Sequence, residues 1–546
     1  MFMSKKIAFL LLLATLPAIY YLIKPGFYEP HDLHHLADIY QMARAVASGQ
    51  IPPRLGPDFT FGYGYPLFNF YYLLPFYLGA FVYALFGSLT ASFESVFVLS
   101  LILSVFGMYL FLREFFNRFP SLVGAFLFLY TPYRAVQTYV RGAMGEALAL
   151  SLLPFVLWGV VRISKEPKNR KIVAGCAILM GLFIISHNYL WIMTLPFVIL
   201  LLLFLKMVEK NFSSRNLLIT GLASLGLTAY WWLPAFLENK LVSSVTPFLM
   251  EDHFPFIKQL IIPSWGYGAS VWGPTDEMSF QIGIVNLVVT AVVLWILLFA
   301  RKLFRNKKFL FITLWAILGF FVSVFFMNIR SLFLWKILPF YQFIQFPWRL
   351  LFLTTFFTSV LAAVIVHTLP KKFSNSTGLL IIGASLVLTI QHFRPSKIVF
   401  KGDDVYLQRF FESRNYSEDY LLLPNWVDER PPNPPLLKFE AEGAVISDIK
   451  KITPVYYQAK IDAGKPTTVS FNTYYFPGWF AKIDGKISEI KPGKPYGQIE
   501  LNVPEGNHKV EFYWRETTLR RIADYTSLLS LVFLVICLRS KKIKII

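Results

Sequence analysis

EPHDLHHLADIYQMARAVASGQIPPRLGPDFTFGYGYPLFNFYY, residues 29–72, places a cluster of titratable side chains directly after the first apolar segment of the chain. That segment, Ile7 to Ile23, is apolar over 17 residues, which is about the shortest helix that crosses a hydrocarbon core. Asp32 therefore follows a predicted membrane span by a few residues. We expect its carboxylate at the boundary between lipid and water.

The same stretch carries the pattern of an amphipathic helix between Asp32 and Ser48. Apolar residues recur at the i, i+3, i+4, i+7 spacing of one helix face, and polar residues share the other face. The apolar positions are Leu33, Leu36, Ala37, Tyr40, Ala43 and Ala47, and the polar ones are His31, His34, Asp38 and Gln41. Gly49 and the pair Pro52-Pro53 end the pattern. We expect a short helix that lies along the membrane surface.

The composition is that of a multi-span membrane protein. Of the 546 residues, 55% are hydrophobic, 18% aromatic and 15% charged, too apolar a mixture for a soluble core. The net charge of +20 would suggest a nucleic-acid partner in a soluble protein, but here the basic residues cluster in short loops between apolar runs. We therefore expect a lipid bilayer as partner and no nucleic acid. The two cysteines, Cys176 and Cys537, lie in apolar runs, which excludes a disulfide framework.

The apolar segments predict about twelve membrane spans. They lie near residues 7–23, 94–112, 120–133, 145–163, 172–187, 189–206, 216–234, 282–300, 309–327, 349–368, 377–391 and 522–538. Basic residues cluster at 113–118, 162–171, 206–215, 301–308, 371–372 and 539–544. Basic loops stay inside, so both termini are predicted to be cytoplasmic, with the protein in the cytoplasmic (inner) membrane. The loops 24–93, 134–144, 235–281, 328–348 and 392–521 then face the outside.

This topology requires that the apolar run from Tyr65 to Phe86 does not cross the membrane. Counting it as a span would turn every later basic loop outward. The run is rich in Tyr and Phe and contains Pro75 and Gly79, a composition typical of an interfacial segment. We therefore expect it on or partly in the outer leaflet.

The last outer region predicts a small extracytoplasmic antiparallel β domain, in the form of a sandwich. From Pro454 onward, the segments 454–463, 467–483, 496–503 and 508–514 have the composition and alternation of strands. Asp484-Gly485 is a type I′ hairpin signal. The predicted domains are a transmembrane domain over 1–391, a linker and β domain over 392–521, and a final span with a basic tail over 522–546.

Ionisable residues are nearly absent from the middle of the predicted spans, where a charge costs at least about 2.5 to 3.5 kcal/mol. Those near the spans fall at their outer ends: Asp32, Arg134, Arg141, Glu146, His187, Glu238, Arg330 and Arg349. A proton-coupled transporter would need titratable groups near the midplane and often has repeated halves, and the sequence has neither. An enzyme that acts on a lipid-borne substrate at the outer surface needs its acid, base and cationic groups at this depth.

Several blocks carry a resemblance to a known family. They are HDLHHLADIYQMARAVASGQIPPR, GYGYPLFNFYY, YVRGAMGEALALSLLPFVLWG, SHN, WWLPAFLE, MSFQIG and FIQFPWR, with YYFPGW in the β domain. They resemble the bacterial membrane proteins called 6-pyruvoyl-tetrahydropterin synthase-related, which are similar to the YfhO-like proteins and to the GT-C superfamily of glycosyltransferases. The name implies no pterin chemistry, since the sequence offers neither the soluble fold nor the three-histidine zinc site of such a synthase. The resemblance implies an enzyme that takes sugar from a polyprenyl-phosphate carrier, with an acidic residue of the first outer loop as base or metal ligand; that position is Asp32.

Asp32 has two interpretations. As a catalytic base it would remove the proton of an acceptor hydroxyl while the anomeric bond breaks. As a structural residue it would cap the amphipathic helix or stabilise its N-terminus. His31, His34 and His35 could bind a divalent metal ion together with Asp32, and we retain His35 as the metal candidate, although histidines at a membrane surface are more often interfacial polar groups.

Four further residues are candidates for substrate binding. The guanidinium of Arg141 suits a carrier phosphate, although Arg141 and Glu146 could equally form a structural ion pair. Arg330 and Arg349 lie in or flank the aromatic outer loop 328–348, where cations would meet a lipid phosphate.

Three more candidates come from other outer loops. His187 stands in a short outer turn, where a helix-ending polar position is the alternative. Trp265 and Tyr267 could stack a sugar, although most aromatic residues of this chain belong to the interfacial belt.

The leading hypothesis is a membrane glycosyltransferase for hexosyl or pentosyl transfer. Its donor would be a polyprenyl-phosphate-linked sugar and its acceptor a glycan, lipid or protein of the cell envelope. The alternatives are a non-enzymatic flippase or carrier of lipid-linked sugar and a cell-envelope scaffold protein. The hypothesis predicts one cavity near the outer surface, below the β domain and the aromatic runs 65–86 and 263–272, formed by Asp32, Arg141, Glu146, His187 and Arg349.

Overall fold

The computed structural model describes residues 4–243, 249–304, 306–338, 341, 344–412 and 422–539. The predicted basic tail beyond Arg539 lies outside these residues. The helices are α1 Lys5–Ile19, α2 His35–Ala47, α3 Phe59–Gly62, α4 Leu67–Phe70, α5 Leu74–Phe86, α6 Leu89–Leu112, α7 Arg118–Leu129, α8 Pro132–Ala135, α9 Met144–Lys165, α10 Arg170–Ile184 and α11 Leu190–Val208. They continue with α12 Ser214–Leu227, α13 Ala229–Leu237, α14 Ile257–Ile261, α15 Ile284–Phe299, α16 Lys307–Phe326, α17 Leu332–Ile337, α18 Leu351–Thr368, α19 Lys371–Thr389, α20 Asp403–Phe411 and α21 Thr518–Arg539.

Within the described chain, 8 helical segments are long and apolar enough to cross a membrane. They contain α1, α6, α9, α11, α16, α18, α19 and α21. The pair α12 and α13, bent by 71°, would make a ninth span. The other three predicted spans coincide with α7, α10 and α15, which have 12, 15 and 16 residues and are shorter than a typical membrane-crossing helix. The predicted polytopic helical architecture is confirmed.

Contacts between helix ends gather predicted basic loops at one end of the bundle, here called the basic end. Lys165, at the end of α9, lies 2.6 Å from Glu114, which follows α6. Lys308, in α16, lies 2.7 Å from Glu209, which follows α11. Asn216, in α12, donates a hydrogen bond to the carbonyl oxygen of Pro167, between α9 and α10. Since α9 rises about 1.5 Å per residue, its first turn lies about 30 Å from the basic end.

The run from Tyr65 to Phe86 forms the short helices α4 and α5. Leu73, just before α5, donates its backbone N–H to the carbonyl oxygen of Ile185, at the end of α10 opposite the basic end. Leu89, just after α5, donates its backbone N–H to Asp403, in the segment that leads to the β domain. Both ends of α5 therefore lie at the end of the bundle opposite the basic end, as the prediction that this run does not cross requires.

Helix α2 forms where the amphipathic pattern predicts a helix, and part of its polar face is buried. Asp38 and Gln41 are buried, and the Gln41 amide donates to the Asp58 carboxylate at 2.9 Å. The loop that contains Asp58 packs over this part of the helix, through Gln41 and Arg44. The predicted helix is present, and its position along the membrane surface stays a prediction; a later loop supplies hydrogen-bond partners that the local pattern does not reveal.

The β domain is an antiparallel sandwich of two sheets, as predicted. Its strands are β1 Phe439–Ala441, β2 Ala444–Thr453, β3 Tyr456–Ala463, β4 Thr467–Tyr474, β5 Trp479–Ile483, β6 Lys486–Ser488, β7 Ile490–Pro492, β8 Gln498–Val503 and β9 Gly506–Trp514. One sheet has the order β1-β4-β8-β7 and the other β2-β3-β9-β5-β6. Asp484 and Gly485 have φ values of 50° and 82°, as the predicted I′ turn between β5 and β6 requires. Strands β1, β2 and β7 were not predicted; β2 carries mostly exposed residues, so alternation is weak there.

The loop between α2 and α5 joins the β domain to the helices. The guanidinium of Arg54 is buried and donates to Tyr230 O at 2.6 Å, to Asp524 at 2.8 Å and to Glu516 at 3.3 Å. These partners belong to α13, to α21 and to the segment before α21. Leu55 belongs to the apolar core of the sandwich. The loop between α2 and α5 thus fixes the β domain over the end of the bundle opposite the basic end.

Candidate functional site

The two most buried long helices, α9 and α18, bring a carboxylate and an arginine together at the end of the bundle away from the basic loops. Glu146 is in the first turn of α9 and is 2% exposed. Its Oε2 lies 2.6 Å from Arg141 Nη1 and accepts a hydrogen bond from the Tyr133 hydroxyl at 2.8 Å. Its Oε1 lies 2.6 Å from Arg349 Nε, in the turn before α18. We call Arg141, Glu146 and Arg349 the arginine–glutamate cluster.

The backbone before α9 is shaped to place this cluster. Gly142 has a φ of 71° and turns the chain between Arg141 and α9. Gly145 lies so close to Tyr72 and to the carbonyl oxygen of Ser186 that a Cβ there would be 2.7 Å from both. The absence of a side chain at Gly145 therefore lets the α10–α11 turn approach α9.

Asp32 adjoins the cluster through its backbone. Its N–H donates to the carbonyl oxygen of Arg141 at 2.7 Å, and the N–H of His31 donates to Val140 O at 3.0 Å. Asp32 precedes α2 and is half-buried. Burial would lower the pKa of Arg141, but the carboxylates of Glu146 and Asp32 raise it above its ordinary value. Arg141 is therefore a permanent cation, and Asp32 lies within electrostatic reach of it.

His187 faces the same cluster and is neutral. Its ring stacks on Tyr72, with centroids 5.4 Å apart, and burial, followed by the charge of Arg349, lowers the pKa of His187 to about 3. The Tyr72 hydroxyl lies 3.2 Å from His35 Nε2. The ring stack links His187, Tyr72 and His35 into a wall beside the cluster.

A group of possible metal ligands lies at the start of α2. The ligand atoms of His34, His35 and Asp38 lie within 4.8 Å of one another. Two imidazole nitrogens and one carboxylate suit a divalent transition metal. His35 Nδ1 is also 3.0 Å from Asp38, so an ion would replace that hydrogen bond. The sequence prediction grouped His31, His34 and His35 with Asp32; the helical turn also brings Asp38 to His35, because residues i and i+3 share a face.

The other predicted binding residues, Tyr267, Trp265 and Arg330, differ in how they are placed relative to the cluster. Tyr267 accepts a hydrogen bond from His31 Nε2 at 2.7 Å through its backbone oxygen, so its loop lies beside Asp32. Trp265 stacks on His392, with centroids 4.1 Å apart, so one of its faces is already covered. Arg330 is exposed in the turn Ile329–Ser331 and takes no part in the described ion pairs of the cluster.

Two site residues were missed by the sequence reasoning. The Arg141 guanidinium lies 4.6 Å from the ring centre of Trp348, and Tyr133 donates to Glu146. The position of Trp348 directly before Arg349 in the block FPWR was a sequence signal that could have identified Trp348. Nothing in the local sequence sets Tyr133 apart from the many other tyrosines at span ends.

A second buried arginine–glutamate pair lies at the junction with the β domain. Arg520 Nε is 2.9 Å from Glu238 Oε2, which also accepts a hydrogen bond from Asn69 at 2.7 Å. The Arg520 guanidinium lies 5.2 Å from the ring centre of Phe476 in the β domain. This pair is fully enclosed, with Arg520 0% exposed, whereas Arg349 is 8% exposed.

A family model described as 6-pyruvoyl-tetrahydropterin synthase related domain, membrane protein, matches residues 68–396 of the chain. The chain belongs to this family. The matched residues include the arginine–glutamate cluster but neither Asp32 nor the β domain. An uncharacterized protein of Lactococcus lactis subsp. cremoris is 26% identical in an alignment of 314 residues that covers 55% of this chain and 50% of that protein. The chain thus matches only half the length of this relative.

Among solved structures, the mycobacterial arabinofuranosyltransferase AftD is similar with a TM-score of 0.49 and 14% identity, over 72% of this chain and 27% of AftD. ArnT from Cupriavidus metallidurans, bound to undecaprenyl phosphate, has a TM-score of 0.41 and 15% identity, over 70% of this chain and 64% of ArnT. The oligosaccharyltransferase of Archaeoglobus fulgidus has a TM-score of 0.45 and 14% identity, over 79% of this chain and 60% of that enzyme.

Proposed function

We propose that this protein is a membrane glycosyltransferase that moves a sugar from a polyprenyl-phosphate carrier to an acceptor of the cell envelope. The site would face the outside of the cytoplasmic membrane, with both termini in the cytoplasm and the β domain outside. The observation that carries the proposal is the arginine–glutamate cluster beside Asp32, at the bundle end away from the basic loops.

The charge of the cluster suits a phosphate. Arg141 and Arg349 carry two positive charges and Glu146 one negative charge, which leaves one positive charge in excess. Arg349 Nη1 is buried and has no hydrogen-bond partner among the described residues. A planar guanidinium with a free donor is well suited to a phosphate oxygen. Helix ends at this depth would meet the headgroup of a lipid carrier.

Asp32 supplies the base in the proposed reaction. The acceptor oxygen forms a bond to the anomeric carbon of the sugar, and the bond from that carbon to the phosphate oxygen breaks. The acceptor proton passes to the Asp32 carboxylate, and the carrier leaves as polyprenyl phosphate with one further negative charge. Arg141 and Arg349 would stabilise that charge as it develops, because they are already oriented in a site of low water content.

The test is transfer from a panel of radiolabelled polyprenyl-phosphate hexoses and pentoses by purified protein in lipid nanodiscs. We expect one donor to lose its label to an envelope acceptor fraction, and Asp32→Asn to abolish transfer. Asp404→Asn, a change of an exposed acidic residue in α20, is the matched control and should leave transfer unchanged. Full activity of Asp32→Asn would remove Asp32 from the mechanism. Movement of intact sugar lipid across the bilayer without any product would refute the transferase and favour a carrier.

A further inference from the structure

A cleft separate from the candidate site lies where the first outer loop meets the β domain. Its volume is about 480 Å³, within the range of small-molecule sites. One wall is the turn that follows α2, residues 48–51, and the other consists of residues from β3, β5 and β9 and of the segment after β9. The cleft is therefore built from two parts of the chain that the fold joins, rather than from one loop.

Aromatic side chains form one side of the cleft. Tyr456, Tyr513 and Trp514 line it and are all half-buried, so part of each ring system remains exposed. Tyr456 and Tyr513 lie edge to face with ring centres 6.5 Å apart. Rings in this arrangement are fixed by the sheet and offer apolar surface with a polar edge.

Charged side chains of both signs surround these rings. Lys482 and Arg515 are cations, and Glu511 and Glu516 are carboxylates, so the lining has no net charge. Lys482 Nζ lies 5.2 Å from the ring centre of Tyr513. A balanced lining gives no electrostatic preference for a polyanion such as a nucleic acid or a phosphorylated lipid.

Three lining residues also have hydrogen-bonding atoms without a partner among the described residues: the hydroxyl of Tyr513, Nε1 of Trp514 and Oε2 of Glu516. Buried polar atoms are nearly always paired in folded proteins. These three atoms are buried, so the hydroxyl-binding groups that the cleft presents are its four charged side chains, and the partly exposed rings suit an apolar C–H face.

We infer that this cleft binds a neutral saccharide. The aromatic rings would contact the C–H face of a sugar ring, and the charged side chains would bind its hydroxyl groups. The inference deepens the proposed function: that the bound saccharide is the acceptor rests on the proposed transferase activity. Helix α2 has 13 residues, which is about 20 Å at 1.5 Å per residue, and it separates residues 48–51 from the start of α2 near Asp32. The acceptor would therefore be an oligosaccharide or polymer held well away from its reacting end.

Binding can be measured without any transfer. Full-length protein in nanodiscs is titrated with maltotetraose, cellotetraose, chitotetraose and mannotetraose, with tryptophan fluorescence and saturation-transfer NMR as readouts. A heparin tetrasaccharide serves as the polyanionic comparison. We expect at least one neutral probe to bind saturably. Tyr456→Ala and Lys482→Gln should each weaken that binding roughly two- to tenfold, the loss expected for one aromatic or polar contact.

Tyr496→Ala is the matched control, since Tyr496 is a half-buried aromatic residue of the same domain outside the cleft. It should bind the probe like the parent, and all variants should keep the thermal transition of the parent within a few degrees. The inference is overturned if no neutral probe binds saturably, if both cleft variants bind like the parent, or if only the heparin probe binds. Asp32→Asn should bind the probe normally. Saccharide binding without transfer from any donor would therefore support the cleft and refute the proposed function.

Discussion

Replacing Arg349 by lysine tests whether the arginine–glutamate cluster binds the carrier phosphate or only stabilises the fold. Lysine keeps the positive charge but loses the planar set of donors. Arg349 Nε contacts Glu146 at 2.6 Å, and Nη1 has no partner among the described residues. After the substitution Glu146 keeps Arg141 at 2.6 Å and Tyr133 at 2.8 Å. The carboxylate therefore remains paired, and the loss of stability is about 1.5 to 3 kcal/mol, the contribution of one charge-assisted hydrogen bond.

The effect on transfer should be larger than the effect on stability. If Arg349 donates to the phosphate as negative charge develops there, its loss lowers the transfer rate about 10²- to 10³-fold. The second buried pair supplies a matched control. In Arg520→Lys, Glu238 loses a contact of 2.9 Å but keeps Asn69 at 2.7 Å, so the structural cost should be similar. Arg520 is fully enclosed and has no access to a lipid phosphate.

The assay combines native mass spectrometry of bound polyprenyl phosphate with the transfer assay and a melting curve for each variant. We expect similar decreases in Tm for Arg349→Lys and Arg520→Lys, with lost carrier binding and transfer only in Arg349→Lys. Carrier binding by Arg349→Lys within twofold of the parent would refute the phosphate role. Equal losses of transfer in both variants would show that Arg349 acts through stability alone.

Two further predictions concern pH and the domain junction. Burial lowers the pKa of His187 to about 3, so between pH 6.5 and pH 3 the unfolded chain binds a proton at this residue that the folded chain does not. The free energy of unfolding should therefore decrease over this range as the pH falls, by up to about 1.4 kcal/mol per pH unit. Melting curves between pH 7 and pH 4 should fall more steeply for the parent than for His187→Phe, which keeps the ring stack; parallel curves would contradict this. Arg54→Met should destabilise the protein by about 3 kcal/mol, the lower end for a broken buried pair, because Glu516 and Asp524 keep some contact with water. A Tm equal to that of the parent would contradict it.

The helical part of the fold could be predicted because apolar length and the positions of Lys and Arg are local signals. Three helices were the exception in length: α7, α10 and α15 have 12, 15 and 16 residues, although their apolar segments predicted spans. The sequence around them stays apolar after the helix has ended, so hydropathy overestimates the helical length. The strands β1 and β2 escaped prediction for a related reason, since the exposed residues of β2 weaken the period-2 pattern.

The candidate site was predictable as a set of residue types but not as a set of contacts. Glu146 and Arg349 are 203 positions apart, and only the packing of α9 against its neighbours brings their atoms to 2.6 Å. The contact of His35 with Asp38 was not predicted, because it depends on the helix that starts at His35 and brings residues i and i+3 to one face. Long-range partners and the first residue of a helix depend on tertiary contacts, which the local pattern does not contain.

The burial of Glu146 between two arginines is itself an argument for function. Removing charges from water costs several kcal/mol per ion, and a well-packed apolar substitute is often as stable or more stable. The central helices α9 and α18 are mostly buried and carry no other carboxylate, so the ion pairs are a local exception in their packing. The cluster also stays slightly open, with Arg141 and Arg349 6% and 8% exposed, and it keeps a donor without a partner among the described residues. The enclosed Arg520–Glu238 pair also has donors without a partner among the described residues, so the open side, and not the spare donor, distinguishes the cluster, and an open side is what a phosphate site needs.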